Sequence, residues 1–269
     1  MIACQNGGIN VVKLFLAISE RIELNARSND GVTAFMMACQ NGHKDIVQLL
    51  LDESEKIDLN AGDNKGRTAF MEACFNGHKD IVKLLLDHSE NIDLNAKNKS
   101  GWTAFMWACA KGHKDVVQLL LMMMHPERID LNAKDEMEFT AFMRACTNGQ
   151  KEVVKLLLDH SEGRIELNAR SNGGWTACMW ACFQGHNDVV QLLLDHSERI
   201  NLNARSKLGP LAFIFACKNG HTDQSDIDLH VRDINGKTAL VIARQKGYQD
   251  IANLLESSDR GKPLFRFWS

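Results

Sequence analysis

A chain of 269 residues that is 45% hydrophobic and 24% charged has apolar matter enough for a core and the charge of an ordinary soluble protein. Its net charge of −3, with Lys and Arg spread throughout, lacks the clustered basic footprint of a nucleic-acid binder. No apolar run approaches a membrane span, and the opening Met1-Ile-Ala-Cys has neither the basic stretch nor the apolar region of a signal peptide.

Read from its start, the chain opens in the middle of a repeating unit. Residues 1–26 end in Leu24-Asn-Ala, and the same three letters return after Ile57-Asp, Ile92-Asp and their later equivalents. A second marker, the threonine that begins Thr-Ala-Phe-Met, falls at Thr33, Thr68, Thr103, Thr140 and Thr176. The slot passes to Leu211 and returns at Thr238, in steps of 35, 35, 37, 36, 35 and 27 residues. Self-similarity at such a period marks a solenoid, in which stacked units share one elongated core and need no domain boundary.

One unit shows the local logic. Thr68-Ala-Phe-Met-Glu-Ala-Cys-Phe-Asn-Gly77 reads as a short helix with a threonine N-cap and a left-handed Asn-Gly end. His78-Lys-Asp-Ile-Val-Lys-Leu-Leu-Leu86 reads as a second helix. Asp80 lies in its first turn, where the helix dipole favours an acid, and Ile81, Val82, Leu85 and Leu86 form its buried face. Ile92-Asp-Leu-Asn-Ala96 is then extended and leads into the turn Lys97-Asn-Lys-Ser-Gly101. The expected fold class is an all-α solenoid of stacked helix-turn-helix units joined by extended, turn-bearing loops.

These units resemble ankyrin repeats. The family's Asp-x-x-Gly-x-Thr-Pro-Leu-His-x-Ala-Ala core stands here as Asp63-Asn-Lys-Gly-Arg-Thr-Ala-Phe-Met-Glu-Ala-Cys74. Its Gly-His-x-x-Val-Val-x-Leu-Leu-Leu stands as Gly112-His-Lys-Asp-Val-Val-Gln-Leu-Leu-Leu121, and the likeness runs from residue 1 to about 257. Two departures stand out. Pro-Leu-His becomes Ala-Phe-Met, so Met36, Met71, Met106, Met143 and Met179 are expected to pack between repeats. The connection after the second helix is also longer than the family's.

In chain order the expected layout is a partial repeat over 1–26 and five full repeats over 27–204. A truncated repeat over 205–230, lacking about one second helix, a capping repeat over 231–257 and an aromatic tail over 258–269 complete it. Extra residues fall in Met122-Met-Met-His-Pro-Glu-Arg128 and at Gly163. The tail is expected to fold back on the last repeat, and the truncated repeat to be a weak point in the stack.

Residues that invite chemistry recur too regularly to do it. Cys4, Cys39, Cys74, Cys109, Cys146, Cys182 and Cys217 occupy one slot per repeat. Stacked about 10 Å apart they are too distant for disulfides, and buried thiols suit a reducing intracellular compartment. The expected location is the cytoplasm, with the nucleus also open. His43, His78, His113, His186 and His221 form a ladder at the second-helix entry and cannot converge on one ion. There is no phosphate loop, His-Glu-x-x-His or Gly-x-Ser-x-Gly, so neither an enzyme nor a cofactor is indicated.

The informative slots are those where the repeats disagree. Before the marker threonine stand Val32, Arg67, Trp102, Phe139, Trp175, Pro210 and Lys237. Four residues after it stand Met37, Glu72, Trp107, Arg144, Trp180, Phe215 and Ile242. Near the end of the first helix come Gln40, Phe75, Ala110, Thr147, Phe183 and Lys218. The resemblance implies that loop tips and first helices line a concave binding face. Candidate partner contacts there are Arg67, Phe75, Trp102, Trp107, Lys111, Phe139, Arg144, Trp175, Trp180 and Phe183, since Trp and Arg dominate binding hot spots. Trp102, Phe139 and Trp175, beside the turn glycine, are expected to be exposed, whereas Trp107 and Trp180 suit packing equally well.

The leading expectation is a non-catalytic scaffold that binds a protein, with no nucleic acid or membrane involved. The alternative is a targeting arm of a larger enzyme or effector whose catalytic part lies elsewhere. A monomer is expected, though the N-terminal half-unit offers a surface for self-stacking. The resemblance further implies asparagine hydroxylation as a reading for Asn25, Asn60, Asn95, Asn132, Asn168 and Asn203.

Overall fold

The computed structural model describes residues 1–18, 20, 22–122, 128–160, 163–201, 204, 206, 237–245, 249, 252–253 and 256. The expected tail lies outside these, as do nearly all of the truncated repeat and most of the capping repeat. Contacts divide the chain into two compact units, residues 1–136 and 137–269.

The first unit is built from helix pairs: α1 (Ile2–Gln5) with α2 (Ile9–Leu16), α3 (Ala34–Gln40) with α4 (Lys44–Leu51), α5 (Ala69–Phe75) with α6 (Lys79–Asp87), and α7 (Ala104–Lys111) with α8 (Lys114–Leu121). First helices pack in the order α1, α3, α5, α7, and second helices in the order α2, α4, α6, α8, so two layers run side by side. The second unit repeats the scheme with α9 (Ala141–Thr147) and α10 (Lys151–His160), then α11 (Ala177–Gln184) and α12 (Asn187–Leu194). It also contains α13 (Ala239–Gln245). The described helices include none long and apolar enough to cross a membrane.

Five first helices, α3, α5, α7, α9 and α11, start directly after a marker threonine whose own backbone is extended. Thr33, Thr68, Thr103, Thr140 and Thr176 accept a hydrogen bond on Oγ1 from the methionine N–H three residues on, at 3.2–3.4 Å. That bond satisfies one of the amide donors a helix start leaves open. The same methionines are buried between helices, as are the phenylalanines before Met36, Met71, Met106 and Met143. On α6 the interior face consists of Ile81, Val82 and Leu85, with Leu86 half-buried. At the far end of the second helices, His88, His160 and His196 bond the carbonyl four residues back through Nδ1.

The histidine ladder joins consecutive repeats. His43, His78 and His113 donate from Nε2 to the carbonyls of Gln5, Gln40 and Phe75 at 2.8–2.9 Å, and His186 donates to that of Thr147 at 3.0 Å. A carbonyl can only accept, so Nε2 carries the proton. The ring fits because a glycine lies beneath it. A Cβ on Gly77 (φ +72°) would fall 2.5 Å from the Nδ1 of His113. Cys4, Cys39, Cys74, Cys109, Cys146, Cys178 and Cys182 are buried, and none of them is in a disulfide. Burial pushes the thiols of Cys39, Cys74 and Cys109 far above their ordinary range, which keeps them protonated and unreactive.

A direct test of this joint is Gly77→Ala. Alone it destabilises the chain by more than the about 1–2 kcal/mol that left-handed strain costs a side chain, because the imidazole must also move. In a His113→Ala background the penalty falls back to the strain value. Urea unfolding of the two single variants and the double variant measures this coupling, and additive costs would show that ring and glycine do not interact.

Candidate functional site

The variable slots are not independent surface letters. The residue before the marker threonine meets the residue four after it in every full repeat from Arg67 onward, each time with different chemistry. In the second full repeat Arg67 pairs with Glu72 at 2.8 Å. In the third, Trp102 and Trp107 lie 4.1 Å apart between ring centroids, tilted by 35°. In the fourth, the Arg144 guanidinium sits 4.1 Å from the centre of the Phe139 ring. In the fifth, Trp175 and Trp180 repeat the tilted stack at 4.6 Å and 35°. The extended turn and the first helical turn thus hold two side chains against each other, and any complementary pair satisfies the geometry.

Contacts between neighbouring repeats extend these pairs into clusters. In the first unit Phe75 meets the edge of Trp107 at 5.0 Å, and the ammonium of Lys111 lies 4.6 Å from the Phe75 centroid. In the second unit Phe139 touches Trp180 at 5.0 Å, while Phe183 stands edge-on to Trp175 at 5.4 Å and to Trp180 at 6.0 Å. Such ring contacts contribute about 1 kcal/mol each beyond burial, so the clusters are packed features as well as surface.

That packing corrects the expected exposure of two residues. Phe139 is 3% exposed and Trp175 is 8% exposed. Trp180 and Phe183 close over Trp175, which also joins Met179 and Ala204 in a buried cluster. Nor is Phe139 preceded by a turn glycine: Glu138 holds the left-handed position there, at φ 63°. Trp102, Trp107, Trp180, Arg67, Phe75 and Arg144 are half-buried, Lys111 is exposed, and Phe183 is 50% exposed.

The first unit's cluster contains a group that reading the sequence for hot spots passed over. Arg67 binds Asp63 through both Nε and Nη2, at 2.8 and 2.7 Å, and binds Glu72 through Nη1. Both carboxylates are buried, so one guanidinium serves two acids. Burial raises the Asp63 carboxyl, but hydrogen bonds from the Arg67 backbone and side chain and from the Lys65 N–H outweigh this and leave it below its ordinary value. Glu72 has fewer donors. Burial dominates and raises its carboxyl, with Arg67 opposing and Asp63 adding to the rise. Its Oε2 has no hydrogen-bond partner. The legible signal was an acid in a slot that elsewhere holds Met37, Trp107, Arg144 and Trp180.

The asparagine series does different work. The side chains of Asn25, Asn60, Asn95 and Asn168 donate to the carbonyls of Lys56, Asn91, Arg128 and Arg199. Their Oδ1 atoms accept from the N–H groups of Asp58, Asp93, Asp130 and Asn201. Each amide is therefore clamped to the next connection at both ends. Asn132 is half-buried, and Asn203 lies outside the described residues. Among the described residues no three His, Cys, Asp or Glu side chains gather as a metal site.

With this geometry in view, a family described as ankyrin repeats, in three copies, matches residues 1–98, 55–135, 90–171 and 122–206. Comparison with curated proteins gives no match.

The strained carboxylate makes a pH prediction. A folded-state value raised above the unfolded one stabilises the fold below the unfolded value of about 4.3, and this is lost as pH rises through the folded value. Glu72→Gln cannot ionise, and Arg67 and Asp63 face it in both proteins. The variant's stability relative to the parent therefore grows between about pH 4 and pH 8, read by urea unfolding at each end. A difference that shrinks with rising pH would contradict the assignment.

Proposed function

Because the chain belongs to the ankyrin-repeat family over residues 1–206, we propose that it is a non-catalytic scaffold holding a protein partner on its turn tips and first helices. Repeats of this family typically mediate protein–protein interaction. The observation that carries the reading for this chain is the half-exposed Phe183 resting edge-on against Trp175 and Trp180, on a framework that packing and hydrogen bonds already hold still. An exposed apolar ring adjoining other partly exposed rings makes the kind of contiguous patch that marks interaction sites. In the first unit Trp102, Trp107 and Phe75 offer a second aromatic surface, edged by Lys111 and Arg67. Rigid aromatic and arginine side chains contribute strongly to binding because little entropy is lost on ordering them.

Burial sorts the candidates into those that test binding and those that test folding. Phe183→Ala and Trp102→Ala are expected to keep a cooperative fold and to reduce partner capture from the native cell. Trp175→Ala is expected to lose about 3 kcal/mol of stability, as large-to-small changes at buried aromatics do, and so reports on packing. Capture followed by mass spectrometry, with thermal melts of each variant, separates the two. Undiminished capture by both Phe183→Ala and Trp102→Ala would remove these faces from the binding surface.

A further inference from the structure

Between α5 and α7 the first unit has an open pocket of about 320 Å³. Of its lining residues, Met71 and Glu72 are buried and form the floor, Phe75 and Trp107 are half-buried aromatic walls, and Lys65 and Lys99 are exposed at the edge. We propose that this pocket receives an arginine or lysine side chain from an extended segment of the partner, with acidic residues flanking it. The inference rests on the scaffold reading and says what that scaffold recognises here.

Three observations point to a cation. Glu72 is 6% exposed, and its Oε2 is an acceptor with no partner, buried where a hydrogen bond is worth most. Asp63 and Glu72 share the single guanidinium of Arg67, so two buried carboxyl groups have one cation between them. The aromatic wall is the edge-to-face pair Phe75 and Trp107, which already carries the Lys111 ammonium 4.6 Å from the Phe75 centre and whose apolar surface suits the methylene stem of a long basic side chain. An incoming ammonium or guanidinium supplies the missing donor and a second cation together. An anion would instead meet an unpaired carboxylate oxygen. The flanking acids follow from the edge: Lys65 and Lys99 make no ion pair among the described residues.

Other repeats lack the combination. The equivalent floor positions hold Trp107, Arg144 and Trp180, none of which can accept a cation through a carboxylate. The site is thus particular to one pair of repeats, within a framework that is otherwise common to all of them.

The test offers a phage-displayed library of random linear heptapeptides to the full immobilised chain, to its Glu72→Gln variant and to its Trp102→Ala variant, each first shown to be folded by circular dichroism. The expected result is enrichment of Arg or Lys next to Asp or Glu on the parent. That preference disappears on Glu72→Gln. A resynthesised enriched peptide should bind the parent about tenfold more weakly when its arginine is replaced by neutral citrulline, and bind Glu72→Gln equally in both forms. Should Glu72→Gln fail to fold, Trp107→Leu carries the same comparison by removing an aromatic wall. Equal affinity of the arginine and citrulline peptides for the parent, a basic preference undiminished in the variant, or no enrichment at all would overturn the proposal. Loss of native partner capture on Trp102→Ala and Phe183→Ala, with Glu72→Gln unaffected, would overturn the basic-residue pocket and leave the scaffold reading standing. Capture unaffected by all three would overturn both.

Discussion

A single helix pair of this chain leaves backbone groups for its neighbours to bond, and that constraint organises everything else. The carbonyl that ends one first helix is answered by an imidazole from the next repeat, as in Phe75 and His113. The connection after one second helix is held by an asparagine from the repeat before it, as Asn60 holds Asn91 and Asp93. Turn tips are linked in the same way, with the N–H of Lys99 on the carbonyl of Lys65. These bonds are exposed or half-buried and contribute about 1 kcal/mol each, added to the interface that each repeat shares with its neighbour. The slots that make these bonds are therefore the ones the sequence repeats.

The framework was legible in the letters for that reason. Threonine caps, left-handed glycines, buried methionines and the two-layer order of helices all follow from local chemistry repeated at one period. The site was only partly legible. Phe139 and Trp175 looked exposed because they stand beside the turn, yet each lies against a residue five positions on, a pairing that depends on how the turn delivers the chain into the helix. Periodicity within a helix says nothing about that approach. Glu72 was harder still, since its importance comes from the count of donors around it. One guanidinium for two acids becomes visible only when Asp63, Arg67 and Glu72 are seen together.

The two units place different chemistry on the same scaffold. In the first, a carboxylate pair, an arginine, rings and lysines share a small volume. In the second, Trp175, Trp180, Phe139 and Phe183 form an almost purely aromatic group. Packing accepts either, because both satisfy the contact between the paired slots. On the proposed reading, what a repeat can recognise is thereby decoupled from what keeps it folded, except where the residues concerned are themselves buried.

The inserted residues show how the chain tolerates changes of length. Asn60 reaches a carbonyl 31 residues ahead, whereas Asn95 reaches one 33 ahead, across the longer connection that ends at Arg128, and the bond is the same. The clamp forms at either spacing, and the helices after it resume in register. Excising one whole unit would then rejoin like with like, while removing a few residues from inside a helix would misalign every bond to the next unit. Such a chain can be lengthened or shortened by entire modules during its history, and tuned in its grip by single substitutions at the few slots the clamps leave alone.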